Sequence, residues 1–337
     1  MIKHIVNLPG TFQFEAGGSI EGLPIAFHTS PREYTPGERV IWINHGLTAN
    51  SDVEDWWPQL AGPGKLFDTE KYFVICANIL GSCYGSAGPS SIDPATGKPY
   101  MFTFPQITIK DIAKSCIELC NYLGIKKIDL LVGSSIGGFQ AMEMLLMAPG
   151  LFKRSVLIAT DCRIRAFYTA MNETQRMCLD ADCTFREAAS LEGGKAGLEA
   201  ARALALLTYR SYDGYNLTQS EEDTETVFPN RACTYQRYQG LKLSRRFDAY
   251  SYWYLTKCLD SHNIGRGRGG VEAALANIKV PTTVISITSD WLFPSTEIRK
   301  WASAIPRTEY FEIESKFGHD GFLLEGEQLS KIIKPLI

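Results

Sequence analysis

The chain has 337 residues, enough to bury a large core, so one large α/β domain with an insertion fits as well as two domains. Lys and Arg total 34 against 37 Asp and Glu, a formal net charge of −3, and nothing in that balance points to nucleic acid or an anionic membrane as partner. No apolar run approaches the roughly 20 residues of a membrane span, and the stretch from Met1 to Pro9 lacks an apolar core long enough for a signal peptide. Nine cysteines, an odd number scattered through apolar patterns as at Cys76, Cys116 and Cys120, read as reduced core residues of a cytoplasmic protein. Cys116 and Cys120 lie four apart on one predicted helix with none of the five histidines placed near them, so no metal site is expected.

Two short alternating runs, Phe12 to Glu15 and Leu23 to Phe27, predict an antiparallel entry hairpin. Arg39 to Asn44 is nearly all apolar, as in a strand covered on both faces, and Tyr72 to Asn78 is the next such run. Ile109, Ile112, Ala113, Cys116, Ile117 and Cys120 repeat at helical spacing over 108–123. The apolar runs 128–132, 155–160, 282–288 and 309–313 read as further strands, and a closing helix runs from about Glu327 to the end. Strands alternating with helices imply a mostly parallel sheet with helices on both faces. More than a hundred residues between the strands at 155 and 282 show no strand pattern. They hold helical stretches such as 197–207 and a polar break at 220–225. The expected organisation is therefore a core of 1–162 and 275–337 with a helical lid, 163–274, inserted into it.

The organising motif is Gly133-Ser134-Ser135-Ile136-Gly137, set between the strand ending at Val132 and an apolar helix from Phe139 to Met147. Strand, G-x-S-x-G and helix form the nucleophile elbow of the α/β-hydrolase fold. Side chains at positions 133 and 137 would collide with neighbouring backbone in so sharp a turn, whereas glycine tolerates it. The turn lifts the Ser135 hydroxyl above a helix N-terminus, whose free N–H groups suit a developing oxyanion. A serine hydroxyl needs a base, and the base an orienting carboxylate. In this fold the chain order is Ser, Asp or Glu, then His, on loops after the later strands. Asp290 follows the strand at 282–288 and His319 follows the last strand, which places both as required. His4 is near the terminus, His28 precedes the main strands, His262 falls in the lid, and His45 reads as structural. The loop after the strand at 39–44 should supply the second oxyanion donor; the backbone N–H of Leu47 would pair with that of Ile136.

Read with their neighbours, these residues resemble the homoserine O-acyltransferases of the α/β-hydrolase type, the MetX family. The resemblance covers most of the chain: His45-Gly46-Leu47-Thr48, Trp56-Trp57, Gly62 to Lys65, Tyr238-Gln239-Gly240, Arg246 to Tyr252, Ser289 to Pro294 and Gly318 to Leu323. Its longest and most specific part is the glycine-rich stretch from Asn78 to Pro89. The elbow departs from the family, which usually carries Gly before the nucleophile and Met after it, where this chain has Ser134 and Ile136. Both changes keep the backbone donors and bear on the acyl pocket.

The resemblance implies transfer of an acyl group from acyl-CoA, acetyl-CoA in the first instance, to L-homoserine in methionine synthesis. It implies a ping-pong cycle through acylated Ser135, no bound cofactor, and a homodimer formed through the lid. It also implies that Arg202 and Tyr209 hold the amino acid's carboxylate and Asp320 its ammonium group. Elementary chemistry is compatible: arginine grips carboxylates bidentately, and positions 202 and 209 lie two helical turns apart on one face. The rival readings are an esterase or thioesterase with the same triad, an acyltransferase for serine or another hydroxylated acceptor, and a non-catalytic binding member.

Overall fold

The computed structural model describes residues 1–187 and 189–337. Its strands are β1 (Ile2–Asn7), β2 (Thr11–Gln13), β3 (Ser19–Glu21), β4 (Pro24–Thr29), β5 (Val40–Asn44), β6 (Phe73–Ala77), β7 (Ile92–Asp93), β8 (Lys98–Pro99), β9 (Leu130–Ser134), β10 (Ser155–Ile158), β11 (Thr282–Ile287) and β12 (Thr308–Ile313). The helices of the sheet region are α1 (Val53–Trp56), α2 (Ile109–Tyr122) and α3 (Ile136–Met147). Between β10 and β11 come α4 (Ala166–Asp180), α5 (Cys183–Glu187), α6 (Lys195–Tyr209), α7 (Tyr212–Gln219), α8 (Arg231–Ser244), α9 (Ala249–Asp260) and α10 (Val271–Ala276). After β11 follow α11 (Ser295–Ala302), α12 (Gly321–Leu324) and α13 (Gly326–Ile333).

Eight strands form one sheet in the order β1-β4-β6-β5-β9-β10-β11-β12. The pairs from β6 through β12 are parallel; β1 with β4 and β4 with β6 are antiparallel. The central strands are apolar throughout because both faces are covered. Alternation along β5 shows it: Val40 and Trp42 join the layer of Ile112, Phe139 and Met142, whereas Ile41 and Ile43 join Trp57, Phe67, Leu329 and Ile333. The two-faced parallel sheet expected from the apolar runs is present.

The expected entry hairpin is not. Residues 11–13 pair with 19–21 in a separate small ribbon, and β4 pairs instead with β1 at the N-terminus. The pattern of 2–7 (Ile2, Ile5 and Val6 among Lys3, His4 and Asn7) carries little periodicity, since β1 is an edge strand with mostly exposed or half-buried side chains. Capping sets the start of α2: Thr108 Oγ1 accepts from the N–H of Asp111, whose carboxylate accepts from the N–H of Thr108, a reciprocal box.

Candidate active site

β9 leads directly into the elbow. Ser135 has φ 55° and ψ −126°, a strained conformation for a residue with a side chain. Added Cβ atoms at Gly133 and Gly137 would overlap the carbonyls of Gly137 and Asn44 respectively, so the expected collisions with backbone are real. Gly138, not singled out from sequence, is equally constrained, because a Cβ there would strike the side chain of Thr160. Thr160 Oγ1 donates to the Ser135 carbonyl at 2.8 Å, tying the elbow to the end of β10. Strain at one residue is held by contacts on both sides of it.

Ser135, Asp290 and His319 come together and are buried. The His319 Nδ1–H donates to Asp290 Oδ2 at 2.7 Å, and Nε2 lies 2.9 Å from Ser135 Oγ, placed to accept its proton. The other oxygen of Asp290 accepts from the N–H groups of Leu292 (2.9 Å) and Phe293 (3.0 Å), so the carboxylate is aimed by its own loop. Rings of Phe293, Phe322 and Tyr209 surround the imidazole at centroid distances of 5.3, 5.4 and 5.9 Å. Tautomer, orientation and burial together leave one ring nitrogen free to work on the serine.

Leu47 lies in the loop after β5 and Ile136 opens α3. Among the described residues, neither backbone N–H donates a hydrogen bond. His45 is fully buried, and burial pushes its pKa down to about 4. Its Nδ1–H donates to the Gly46 carbonyl (2.8 Å) and its Nε2 accepts the N–H of Ile79 (3.2 Å), bracing this loop against the glycine-rich stretch. Arg246 opens one of the stretches that carry the family resemblance, but the sequence assigned it no role. Its Nη1 donates to the Thr48 carbonyl at 2.6 Å and also contacts Tyr84 Oη, tying the inserted helices to the loop that carries Leu47.

Arg202 and Tyr209 both lie on α6, with the guanidinium carbon 5.6 Å from the Tyr209 ring centre. Tyr209 in turn meets the His319 ring, so α6 lines the approach to the triad. Asp320 stands at the start of α12 but makes no capping bond. Burial raises its pKa, while Arg210, then His319 and Arg202, pull it back. Arg210, which sequence reasoning missed, places Nε 3.0 Å from Asp320 Oδ2. Its only sequence signal was adjacency to Tyr209. Among the described residues no group of three or more His, Cys, Asp or Glu side chains could hold a metal, and no helix is long and apolar enough to cross a membrane.

A strand–serine–helix elbow with a Ser–His–Asp hydrogen-bonded chain on a mostly parallel sheet defines an α/β-hydrolase, and a family model described as alpha/beta hydrolase fold matches residues 39–326. A homoserine O-acetyltransferase from Cyclobacterium marinum is 41% identical over 335 residues, covering 99% of this chain and 95% of that protein. The chain belongs to the homoserine O-acetyltransferase family and is an acyltransferase. Among solved structures, a homoserine O-acetyltransferase from Bacillus anthracis superposes with TM-score 0.89 at 24% identity, over 99% of this chain and 97% of that one. Esterase E22 superposes with TM-score 0.88 at 23% identity, over 99% of both chains. At these identities the likeness is one of fold, and a transferase and an esterase share it.

Proposed function

We propose that this chain transfers an acetyl group from acetyl-CoA to the hydroxyl of L-homoserine by a ping-pong cycle, in methionine biosynthesis. In the first half-reaction His319 takes the Ser135 proton and the oxygen attacks the thioester carbon. The N–H groups of Leu47 and Ile136 hold the oxyanion, and the proton passes from His319 to the departing CoA sulfur. In the second, His319 deprotonates the homoserine hydroxyl, which attacks the acyl-serine; collapse breaks the acyl–Oγ bond, the proton passes from His319 to Ser135 Oγ, and O-acetylhomoserine is released. Arg202 and Tyr209 take the acceptor's carboxylate and Asp320 its ammonium. A lid of residues 163–274 would exclude water and raise the effective concentration of the bound hydroxyl, which water must lose to for transfer to prevail. Nothing in this chemistry calls for a bound cofactor or metal.

One observation carries the reading. Beside the triad lies a carboxylate, Asp320, that is partly buried and accepts no hydrogen bond among the described residues, with the Arg202 cation close enough to act on it. Its oxygens keep some access to the site, and an ammonium group entering there supplies three donors. A hydrolase acting on simple esters has no use for that pair of charges. The names of the relatives support homoserine as acceptor and acetyl as the transferred group. The exposed apolar side chains on α7, α8 and the loop between them support a homodimer through the lid, and nine free cysteines suit the cytoplasm.

The deciding experiment measures CoA release from acetyl-CoA with and without L-homoserine, using Ser135→Ala as control. Release should depend on homoserine and vanish in the variant. Release that needs Ser135 but ignores homoserine would make the protein a hydrolase or assign it another acceptor.

A further inference from the structure

Arg210 is the first residue beyond α6, with φ −102° and ψ 150°, so its side chain leaves the helix line. Its backbone is held on two sides. Trp291 Nε1–H, from the Asp290 loop, donates to the Arg210 carbonyl at 2.9 Å. Gly318, beside His319, packs so closely that a Cβ there would lie 2.8 Å from the Arg210 carbonyl carbon and 2.8 Å from the Tyr209 oxygen. The Ser211 hydroxyl donates to the Lys316 carbonyl on that same loop. The guanidinium's far end donates from Nη2 to Tyr235 Oη on α8 at 3.2 Å. Arg210 is therefore fixed against both loops that carry the triad's partners.

Its contact with Asp320 has an unusual form. Nε is 3.0 Å from Oδ2, yet the Nε–H finds no aligned acceptor among the described residues. The contact is one of charge with charge. Arginine ordinarily meets a carboxylate with two directed N–H groups; here the Asp320 lone pairs stay unoccupied. A fixed cation that keeps a carboxylate ionised without consuming its acceptors leaves those acceptors to a ligand.

We propose that Arg210 is a positioning residue for the acceptor's amine: it holds the Asp320 carboxylate ionised and in place, so the acceptor half-reaction depends on it and the donor half-reaction does not. This rests on the reading that Asp320 receives the homoserine ammonium. The groups facing Asp320 are Tyr209, Arg202 and Arg210 from α6 and its end, His319 beside it, and Asp290 from the loop after β11. Of the cations, Arg210 acts most strongly. With it removed, burial and Asp290 act against fewer positive charges, the carboxylate protonates at higher pH, and a neutral acid no longer attracts ammonium.

The test compares wild type with Arg210→Met. Acyl-enzyme formation is followed as the burst of p-nitrophenol from p-nitrophenyl acetate, which also counts folded sites. The acceptor step is followed as KM for L-homoserine and as kcat/KM against pH. The expected result is an unchanged burst, a KM raised about tenfold or more, and an acid limb of kcat/KM moved up by about one pH unit or more. Arg210→Lys, which restores the charge, should bring the limb most of the way back. Should the methionine variant fail to fold, Tyr235→Phe frees the guanidinium's far end and gives the same split, with KM raised severalfold and the burst unchanged. An unchanged KM and pH profile in a folded variant, or a loss confined to the burst, overturns the proposal. If wild-type turnover ignores homoserine, the reading of Asp320 fails first, whatever the variants do.

Discussion

Ser135 holds a backbone conformation that its own side chain disfavours, and the glycines around it explain how that is possible. Gly133 and Gly137 admit the close approach of strand, turn and helix, while Thr160 fixes the Ser135 carbonyl. Asp290 does its work on geometry. One oxygen takes the His319 N–H, and the other is filled by two backbone donors, so the carboxylate has no freedom to turn away. Replacing Asp290 with Asn should leave this geometry nearly intact but present an amide N–H to the ring or impose the wrong tautomer. Burst rate constants with p-nitrophenyl acetate should fall by roughly a thousandfold or more, with the circular dichroism spectrum unchanged. A loss under tenfold would mean that His319 is oriented mainly by Phe293, Phe322 and Tyr209.

α6 and the residues after it join the inserted helices to the loops that carry Asp290 and His319. Its last turn carries Tyr209 against the imidazole, and the next residues lock onto Trp291, Lys316 and Gly318. From the other side, the segment between α8 and α9 reaches the loop that carries Leu47 through Arg246. The inserted helices also carry the chain's most exposed apolar side chains. Tyr212 and Leu217 on α7, Val227 and Phe228 in the following loop, and Tyr238 and Leu241 on α8 all face solvent, Phe228 at 86% of its full exposure. An apolar set of this kind is costly unless another surface covers it. Sedimentation at micromolar concentration should give twice the 37.5 kDa chain mass, and the pair Leu217→Asp and Phe228→Asp should shift the protein to monomer with the p-nitrophenyl acetate burst retained. A monomeric wild type would rule out the dimer.

The whole molecule carries a built-in sensitivity to acid. His45 and His262 are fully buried, and burial lowers their pKa values to about 4 and about 3 from an ordinary 6.5. His262 stacks on Phe139 with ring centres 3.9 Å apart and reaches the Asp161 carbonyl through Nε2 at 2.8 Å. Each ring is neutral in the folded chain at a pH where the unfolded chain is protonated. Their contribution is complete above about pH 6.5 and is lost as pH falls toward 4 and then 3, at about 1.4 kcal/mol per pH unit for each proton. Asp111 and Asp248 act in the opposite sense. Burial raises their pKa values, so their cost to the fold is relieved as they protonate at the acid end. Urea midpoints should be flat from pH 8 to 6.5 and fall between 6.5 and 5. A flat profile down to pH 5 would mean that water reaches these rings.

Much of this was legible from residue order alone. The elbow announces itself because glycine at 133 and 137 is a steric necessity, and Asp290 and His319 follow because apolar runs mark the strands whose ends they occupy. Covalent order and the two-fold and 3.6-fold periodicities of apolar side chains are local properties, and local properties survive in a linear string. The N-terminal pairing does not survive there. Strand β1 is an exposed edge with weak alternation, and whether residues 24–29 meet residues 2–7 or 11–13 is a contest between distant segments. Arg210 is silent in sequence, and Arg246 shows there only as the first residue of a familiar stretch, since a surface arginine and one that clamps a loop look alike until the chain closes. The fold class, the mostly parallel sheet and the residues that meet as Ser135, Asp290 and His319 were legible in the sequence. Which cation stands beside Asp320, and that Arg246 ties down the loop carrying Leu47, depends on contacts between residues more than a hundred positions apart, and only the folded chain brings those together.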